Sequence, residues 1–210
     1  MLKFLSLSCL VLSALTSASA IPSDDDDKKA GECKQRGKER TYVAKYDDLP
    51  FTESPDDSTP IGNNYLGLKY TNFYVDAYDG GINPSSSPNV AISYDCGAAP
   101  RSIAVAKPGD NFDLLSTYIA CNAGYPQGAC RTTVTGTRKN GNKISQELVY
   151  PALDSSVPFV MTKVEFTNSS KWKDLVSVSF GPSLFVDEYG DERCAAFQID
   201  DFTYAKKDCT

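Results

Sequence analysis

The sequence predicts an all-β, antiparallel sandwich, and three observations carry that expectation. From Thr41 onward the chain is a series of short runs rich in Val, Ile, Thr, Tyr and Phe, divided by Gly, Pro, Asn and Asp, the pattern of a sandwich or barrel. No long stretch repeats its apolar residues at helical spacing, so helix is expected to be scarce after the first twenty residues. The third observation is an internal echo. Tyr46-Asp47-Asp48-Leu49-Pro50 near one end is answered by Ile199-Asp200-Asp201-Phe202-Thr203-Tyr204 near the other. In a sandwich whose first and last strands are neighbours, these stretches pair and bring four acidic side chains to one region of a sheet.

Before that domain come two segments of different character. Met1 to Ala20 has Lys3, an apolar run through Leu15 and the small-residue ending Ala18-Ser19-Ala20, the pattern of a cleaved secretory signal. The run is shorter than the roughly 20 residues a membrane-spanning helix needs, and no second one follows, so the chain is expected to be secreted, without membrane insertion. Cleavage after Ala20 leaves 190 of the 210 residues, a size that suits one all-β domain over residues 41–210. Residues 21–40 hold Asp24-Asp25-Asp26-Asp27, Lys28-Lys29, Lys34, Arg36, Lys38 and Arg40. With almost nothing apolar to offset its ordering entropy, this leader is expected to be mobile and solvated. A pro-segment cut after Lys29 is the second reading.

Within the domain, strands are expected near 42–48, 67–77, 89–94, 102–106, 112–121, 131–139, 143–150, 159–167, 174–180 and 195–204. The clearest local signal is Asn140-Gly141 between two alternating runs, Thr132 to Arg138 and Lys143 to Val149, which reads as a hairpin. Stretches 51–64 and 79–88 are rich in Pro, Ser, Asn and Gly and read as surface loops.

Seven cysteines are present, and Cys9 leaves with the signal. The remaining six, Cys33, Cys96, Cys121, Cys130, Cys194 and Cys209, read as three disulfides in a secreted chain. Pairing of the first and last strands brings Cys33 to Cys209, and a short Gly/Pro loop favours Cys121 with Cys130. That leaves Cys96 with Cys194 among the about 15 connectivities six cysteines allow. There is no histidine and no Cys-x-x-Cys pair, which argues against a zinc site of the usual kind. Loss of Lys3 with the signal leaves 20 Lys and Arg against 27 Asp and Glu. A chain near −7 is not suited to nucleic acid or an anionic membrane as its main partner.

Tyr46-Asp47-Asp48-Leu49-Pro50, then Tyr65-Leu66-Gly67-Leu68-Lys69-Tyr70-Thr71-Asn72-Phe73-Tyr74-Val75, then Phe197-Gln198-Ile199-Asp200-Asp201-Phe202-Thr203-Tyr204, together resemble a family of secreted, mostly fungal proteins of uncharacterised function. The resemblance runs from about Tyr42 to Tyr204. It implies a galactose-binding-like jelly roll, an architecture shared by many carbohydrate-binding modules. This chain has Tyr46 where the family usually has Phe and Tyr70 where it often has Trp, so both positions keep an aromatic ring.

Three constellations are candidates for chemistry. Calcium takes about six to eight oxygen ligands, and Asp47 or Asp48 with Asp200 or Asp201 would supply the carboxylates of a structural site. Strand alternation sends only one Asp of each pair to a given face, and the competing reading has these groups accepting backbone N–H bonds. Catalysis by Ser-His or Cys-His arrangements is excluded without histidine. A carboxylate-based hydrolase stays open in principle, but no motif selects a pair of acids, so the chain is read as a non-enzyme needing no cofactor. Among the 12 Tyr, 10 Phe and one Trp, most must be core. Tyr65, Tyr74, Tyr78, Tyr125, Trp172 and Tyr189 have polar neighbours, and Tyr78, Tyr125 and Trp172 sit beside loop formers, which makes those three the candidate ligand-stacking rings. Asn168-Ser169-Ser170 is the one Asn-x-Ser/Thr sequon without an intervening proline, so Asn168 is the expected glycosylation site.

The functional expectation is a secreted, non-catalytic binding or surface module whose partner is a carbohydrate or cell-surface polymer. The alternatives are a secreted effector or cell-wall structural protein that binds another protein, and a hydrolase.

Overall fold

In the computed structural model the first strand lies against the last, but through residues 39–44: the expected strand 42–48 ends at Ala44, and the Tyr46–Pro50 stretch turns away instead of pairing with its echo. β1 (Glu39–Ala44) pairs antiparallel with the second half of β14 (Ala196–Lys207), Tyr42 opposite Tyr204 and Ala44 opposite Phe202. The structure describes residues 38–51, 59–77, 81–94, 99–122, 129–152, 159–166 and 170–207. The expected signal segment and most of the charged leader lie outside these residues.

Two sheets face each other. The first runs β2 (Thr59–Pro60), β4 (Tyr74–Ala77), β5 (Asn89–Ser93), β14, β7 (Phe112–Asn122) and β10 (Thr162–Glu165). The second runs β3 (Leu68–Thr71), β6 (Arg101–Val105), β11 (Leu175–Phe180), β8 (Cys130–Arg138) and β9 (Lys143–Tyr150). A hairpin of β12 (Leu184–Val186) and β13 (Glu192–Cys194) continues along the start of β8, with Leu184 opposite Arg131. Every pairing between these strands is antiparallel, and one bridge, Leu175 to Phe112, joins the sheets at a corner. The chain crosses between sheets at β2–β3, β3–β4, β5–β6, β6–β7, β7–β8, β9–β10, β10–β11 and β13–β14, the weaving of a jelly roll. Among the described residues no helix is long and apolar enough to cross a membrane.

The core lies between the sheets. Val75, Ala91, Ile119, Phe197, Ile199, Phe202 and Tyr204 from the first meet Leu68, Tyr70, Ile103, Val134, Leu148, Val178 and Phe180 from the second, all buried. Phe180 sits 5.4 Å from Phe197 and 5.6 Å from Phe73, centroid to centroid. Strict alternation along β14 would turn Phe202 outward, because Ile199 already faces in. A bulge against β7 between Asp200 and Thr203 absorbs one extra residue, with Asp201 at φ 44°, and Phe202 returns to the core fully buried.

The predicted Asn140-Gly141 hairpin is present, with Thr137 opposite Lys143 and Gly141 at φ 82°. Two expectations need correction. The run 67–77 is not one strand: Asn72, at φ 57°, turns the chain so that β3 joins the second sheet and β4 the first. The short β12 and β13 were not anticipated at all. Cys121 and Cys130 form the expected local disulfide (S–S 2.05 Å, Cα–Cα 6.3 Å), tying the end of β7 in one sheet to the start of β8 in the other. Cys194 is also disulfide-bonded, and its partner lies outside the described residues, as do Cys33, Cys96 and Cys209.

Candidate functional site

Three of the four acids, Asp47, Asp200 and Asp201, converge on one segment, 85–89, which crosses the end of the β1–β14 pair. Asp200 is fully buried on the outward side of β14. Its carboxylate accepts the Ser86 amide at 2.6 Å, the Ser86 hydroxyl at 3.1 Å and the Asp201 amide at 2.7 Å. Asp201 accepts the Ser85 hydroxyl at 2.6 Å. From the other side, Asp47 accepts the Asn89 amide at 3.1 Å, and the Asn89 side chain donates to the carbonyls of Tyr46 and Leu49. Asp48 accepts the Tyr65 hydroxyl at 2.7 Å, and that hydroxyl accepts the Tyr46 amide at 3.1 Å. Tyr46, at φ 68° and fully buried, turns the chain here, and burial pushes its phenol up. Asp47, Asp200 and Asp201 therefore latch the 85–89 segment to β14 and to the turn after β1, while Asp48 ties that turn to Tyr65.

That geometry does not fit a calcium ion. Both oxygens of Asp200 face hydrogen-bond donors, and Asp47, Asp48 and Asp201 each spend an oxygen on one. That leaves Asp201 Oδ1 as the one buried carboxylate oxygen of the cluster without a partner among the described residues, too few for a calcium shell. Calcium needs about six to eight free oxygen lone pairs turned to one point. Among the described residues no group of three or more acidic or cysteine side chains is placed to hold a metal. Burial raises the Asp200 carboxyl to about 6 against the opposing pull of the Ser86 and Asp201 amides. A carboxyl near 6 is useful for proton transfer when it can touch a substrate, but Asp200 has no exposed surface. The latch therefore acts as a structural device.

The candidate rings divide sharply. Tyr78 and Tyr125 lie outside the described residues, as does Asn168. Trp172 is buried, at 2% exposure, and so is not a stacking platform. Its neighbours Lys171 and Lys173 suggest a surface position, but a 3-10 turn at Ser170–Trp172 aims the indole inward. There it meets Phe166 edge to face at 4.7 Å. It also fills the space over Gly136, where a Cβ would come within 3.0 Å of both Trp172 and Leu175. Tyr65 and Tyr74 are half-buried, the latter 6.3 Å from Tyr94.

Among the described residues the ring most available to a ligand is Tyr189, 82% exposed. It tops the β12–β13 turn, Asp187-Glu188-Tyr189-Gly190-Asp191. Asp187 organises that turn: its carboxylate accepts the amides of Tyr189 at 3.0 Å and Asp191 at 2.9 Å and receives Arg193 Nε at 3.0 Å. Arg193 also reaches Asp191 at 3.2 Å. The backbone closes through Gly190 to the Asp187 carbonyl (3.1 Å) and Asp187 to the Asp191 carbonyl (2.9 Å), with Gly190 at φ 84°. The Asp191 amide, with the Arg193 guanidinium and the Tyr189 amide, holds the Asp187 carboxyl below its ordinary value. The result is an aromatic face presented on a braced loop, with Glu188 and Asp191 exposed beside it. Tyr189 was not among the three candidate rings, although Asp-x-x-Gly-Asp between short apolar runs is a turn signal that could have marked it.

No family model and no curated protein matches the chain. Among solved structures it is similar to a DUF4465 family protein from Bacteroides caccae, at 16% identity and TM-score 0.44, covering 83% of this chain and 95% of that one. It is similar to an exo-beta-agarase at 10% identity and TM-score 0.39, covering 71% of this chain and 24% of the agarase. It is also similar to TmCBM61 in complex with beta-1,4-galactotriose, at 9% identity and TM-score 0.37, covering 70% and 92% of the two chains. At these values no statement about this chain's own ligand follows from the similarities.

Proposed function

We propose that this chain is a secreted, non-catalytic binding module that holds a carbohydrate on the Tyr189 hairpin. The observation that carries the reading is a tyrosine ring 82% exposed on a turn braced by Asp187 and Arg193. A large apolar ring held in water costs solvation unless something covers it, and a tyrosine face with polar groups around it matches the apolar face and hydroxyl rim of a sugar. Bracing lowers the ordering cost of binding. Glu188 and Asp191 supply acceptors for sugar hydroxyls. A glycan array probed with the secreted chain, and again with Tyr189→Ala, tests this: glycan binding that the substitution abolishes supports it, and binding to no glycan overturns it.

A protein partner is the second reading, favoured by Val186 (48% exposed) on the same hairpin and Val149 (50% exposed) on β9. It gains weight if the array is blank and Tyr189→Ala releases a protein captured from the secreting cells' surroundings. Turnover of any glycan on the panel would instead support the hydrolase reading.

A further inference from the structure

At the other end of β8 from Tyr189, a second surface has a different chemistry. The β8–β9 hairpin and the 3-10 turn bring cations together on a chain of net charge −6. Arg138 donates to the Lys171 carbonyl from Nε (3.1 Å) and Nη2 (2.5 Å), and the Lys139 amide donates to the Asp174 carbonyl at 2.9 Å. Lys139, Lys143, Lys171 and Lys173 are exposed around an open cleft lined by Arg138, Lys139, Asn140 and Asp174. Asp174, whose amide is bonded to Asp113, is the acid in that lining.

From this cleft the outward face of the second sheet carries a row of hydroxyls. Thr71, Ser102, Ser179, Thr135 and Ser145 lie opposite one another on the five successive strands β3, β6, β11, β8 and β9. At about 4.8 Å per strand the row spans about 19 Å. The row next to it runs Lys69, Ala104, Ser177, Thr137, Lys143, with a lysine at each end. All ten positions are exposed or half-exposed. Glu147, two residues beyond Ser145, is the nearest acid along β9.

We propose that this end of the second sheet docks an acidic polysaccharide. Its carboxylates meet Lys139, Lys143 and Lys69, and its hydroxyls exchange hydrogen bonds with the Thr and Ser row. The charge argument is local complementarity: a positive patch on a negative protein attracts an anion over a short span while the rest of the surface repels it. The hydroxyl rows select the kind of anion, because a sugar chain offers a hydroxyl partner at each residue. Nucleic acid would ask for stacking rings, and neither row carries one. This surface stands apart from the Tyr189 hairpin and does not depend on it.

Affinity electrophoresis in polygalacturonate, with neutral mannan as control and salt raised from about 50 to 300 mM, tests it. Wild type should be retarded by polygalacturonate and released by salt. The double variant Lys139→Glu, Lys143→Glu, exposed on a hairpin tip, should keep its melting temperature and lose at least about tenfold in affinity. Thr135→Val with Ser179→Ala should weaken binding severalfold without changing its salt dependence. Absence of retardation at low salt, or retardation unchanged in the Lys variant, overturns the proposal. So does equal affinity for single-stranded DNA or phosphatidylserine vesicles, which would reduce the patch to bare charge. Loss of polygalacturonate binding in Tyr189→Ala would move the site to the other end and overturn it too.

Discussion

Two regions of this molecule use the same bond, a carboxylate accepting backbone amides, for opposite ends. At the β1–β14 end, Asp200 is fully buried and takes the amides of Ser86 and Asp201. At the β12–β13 tip, Asp187 takes the amides of Tyr189 and Asp191 at the surface. Burial lifts the first carboxyl to about 6, while hydrogen bonds hold the second below its ordinary value. Amide donors favour the charged form in both places, and loss of solvent outweighs them in one. A buried carboxylate fixes chain path at a cost in charge solvation, whereas an exposed one shapes a loop at almost none. The first device belongs to the scaffold, and the second presents a ring.

Breaking the buried device should have the largest effect. Asp200→Ala removes the acceptor of the part-buried amides of Ser86 and Asp201, and a group left unsatisfied costs about 1–3 kcal/mol when fully buried, so a loss of about 3 kcal/mol is expected in denaturant unfolding. The pH dependence comes next. The folded carboxyl sits at about 6, above the roughly 3.9 of an unfolded chain. The folded state then holds its proton more tightly, so this group's contribution to stability grows as pH falls from 7 through 6 and levels off below about 4. The full difference is on the order of 3 kcal/mol. Melting curves from pH 7 to 4 should show the rise in wild type and not in Asp200→Ala.

Smaller effects sharpen the contrast. Asp187→Ala should leave the melting temperature nearly unchanged, because the turn is exposed, yet speed amide exchange at Tyr189 and Asp191 and weaken glycan binding. Calcium chelation should leave the melting curve unchanged. A bound ion would add about 2.7 kcal/mol at a hundredfold excess over its dissociation constant, and a shift of that size would contradict the reading of the latch as hydrogen-bonded.

How much of this was legible in the residues differs between the two regions for a physical reason. That the first and last strands are neighbours was legible, but the echo placed the contact too late in the chain: β1 ends at Ala44, and Asp47 and Asp48 lie in the turn that follows it. Which oxygen meets which amide was not legible, since the bulge at Asp201 and the turn at Tyr46 depend on tertiary packing. Trp172 was misread because its lysine neighbours describe its backbone, not its ring. The ring's destination is set by the missing Cβ of Gly136, a contact about 36 residues away in sequence that no local pattern reports. The β12–β13 hairpin escaped notice because three-residue strands leave no period to detect, although Asp187 and Gly190 marked its turn.

The most direct measurement is the affinity of Tyr189→Ala beside wild type, taken together with their melting curves, on any glycan the wild type binds. An exposed ring removed from a braced turn should cost at least about tenfold in affinity, some 1.4 kcal/mol, while stability stays within about 0.5 kcal/mol of wild type. Unchanged affinity would contradict the assignment of the binding surface to this hairpin.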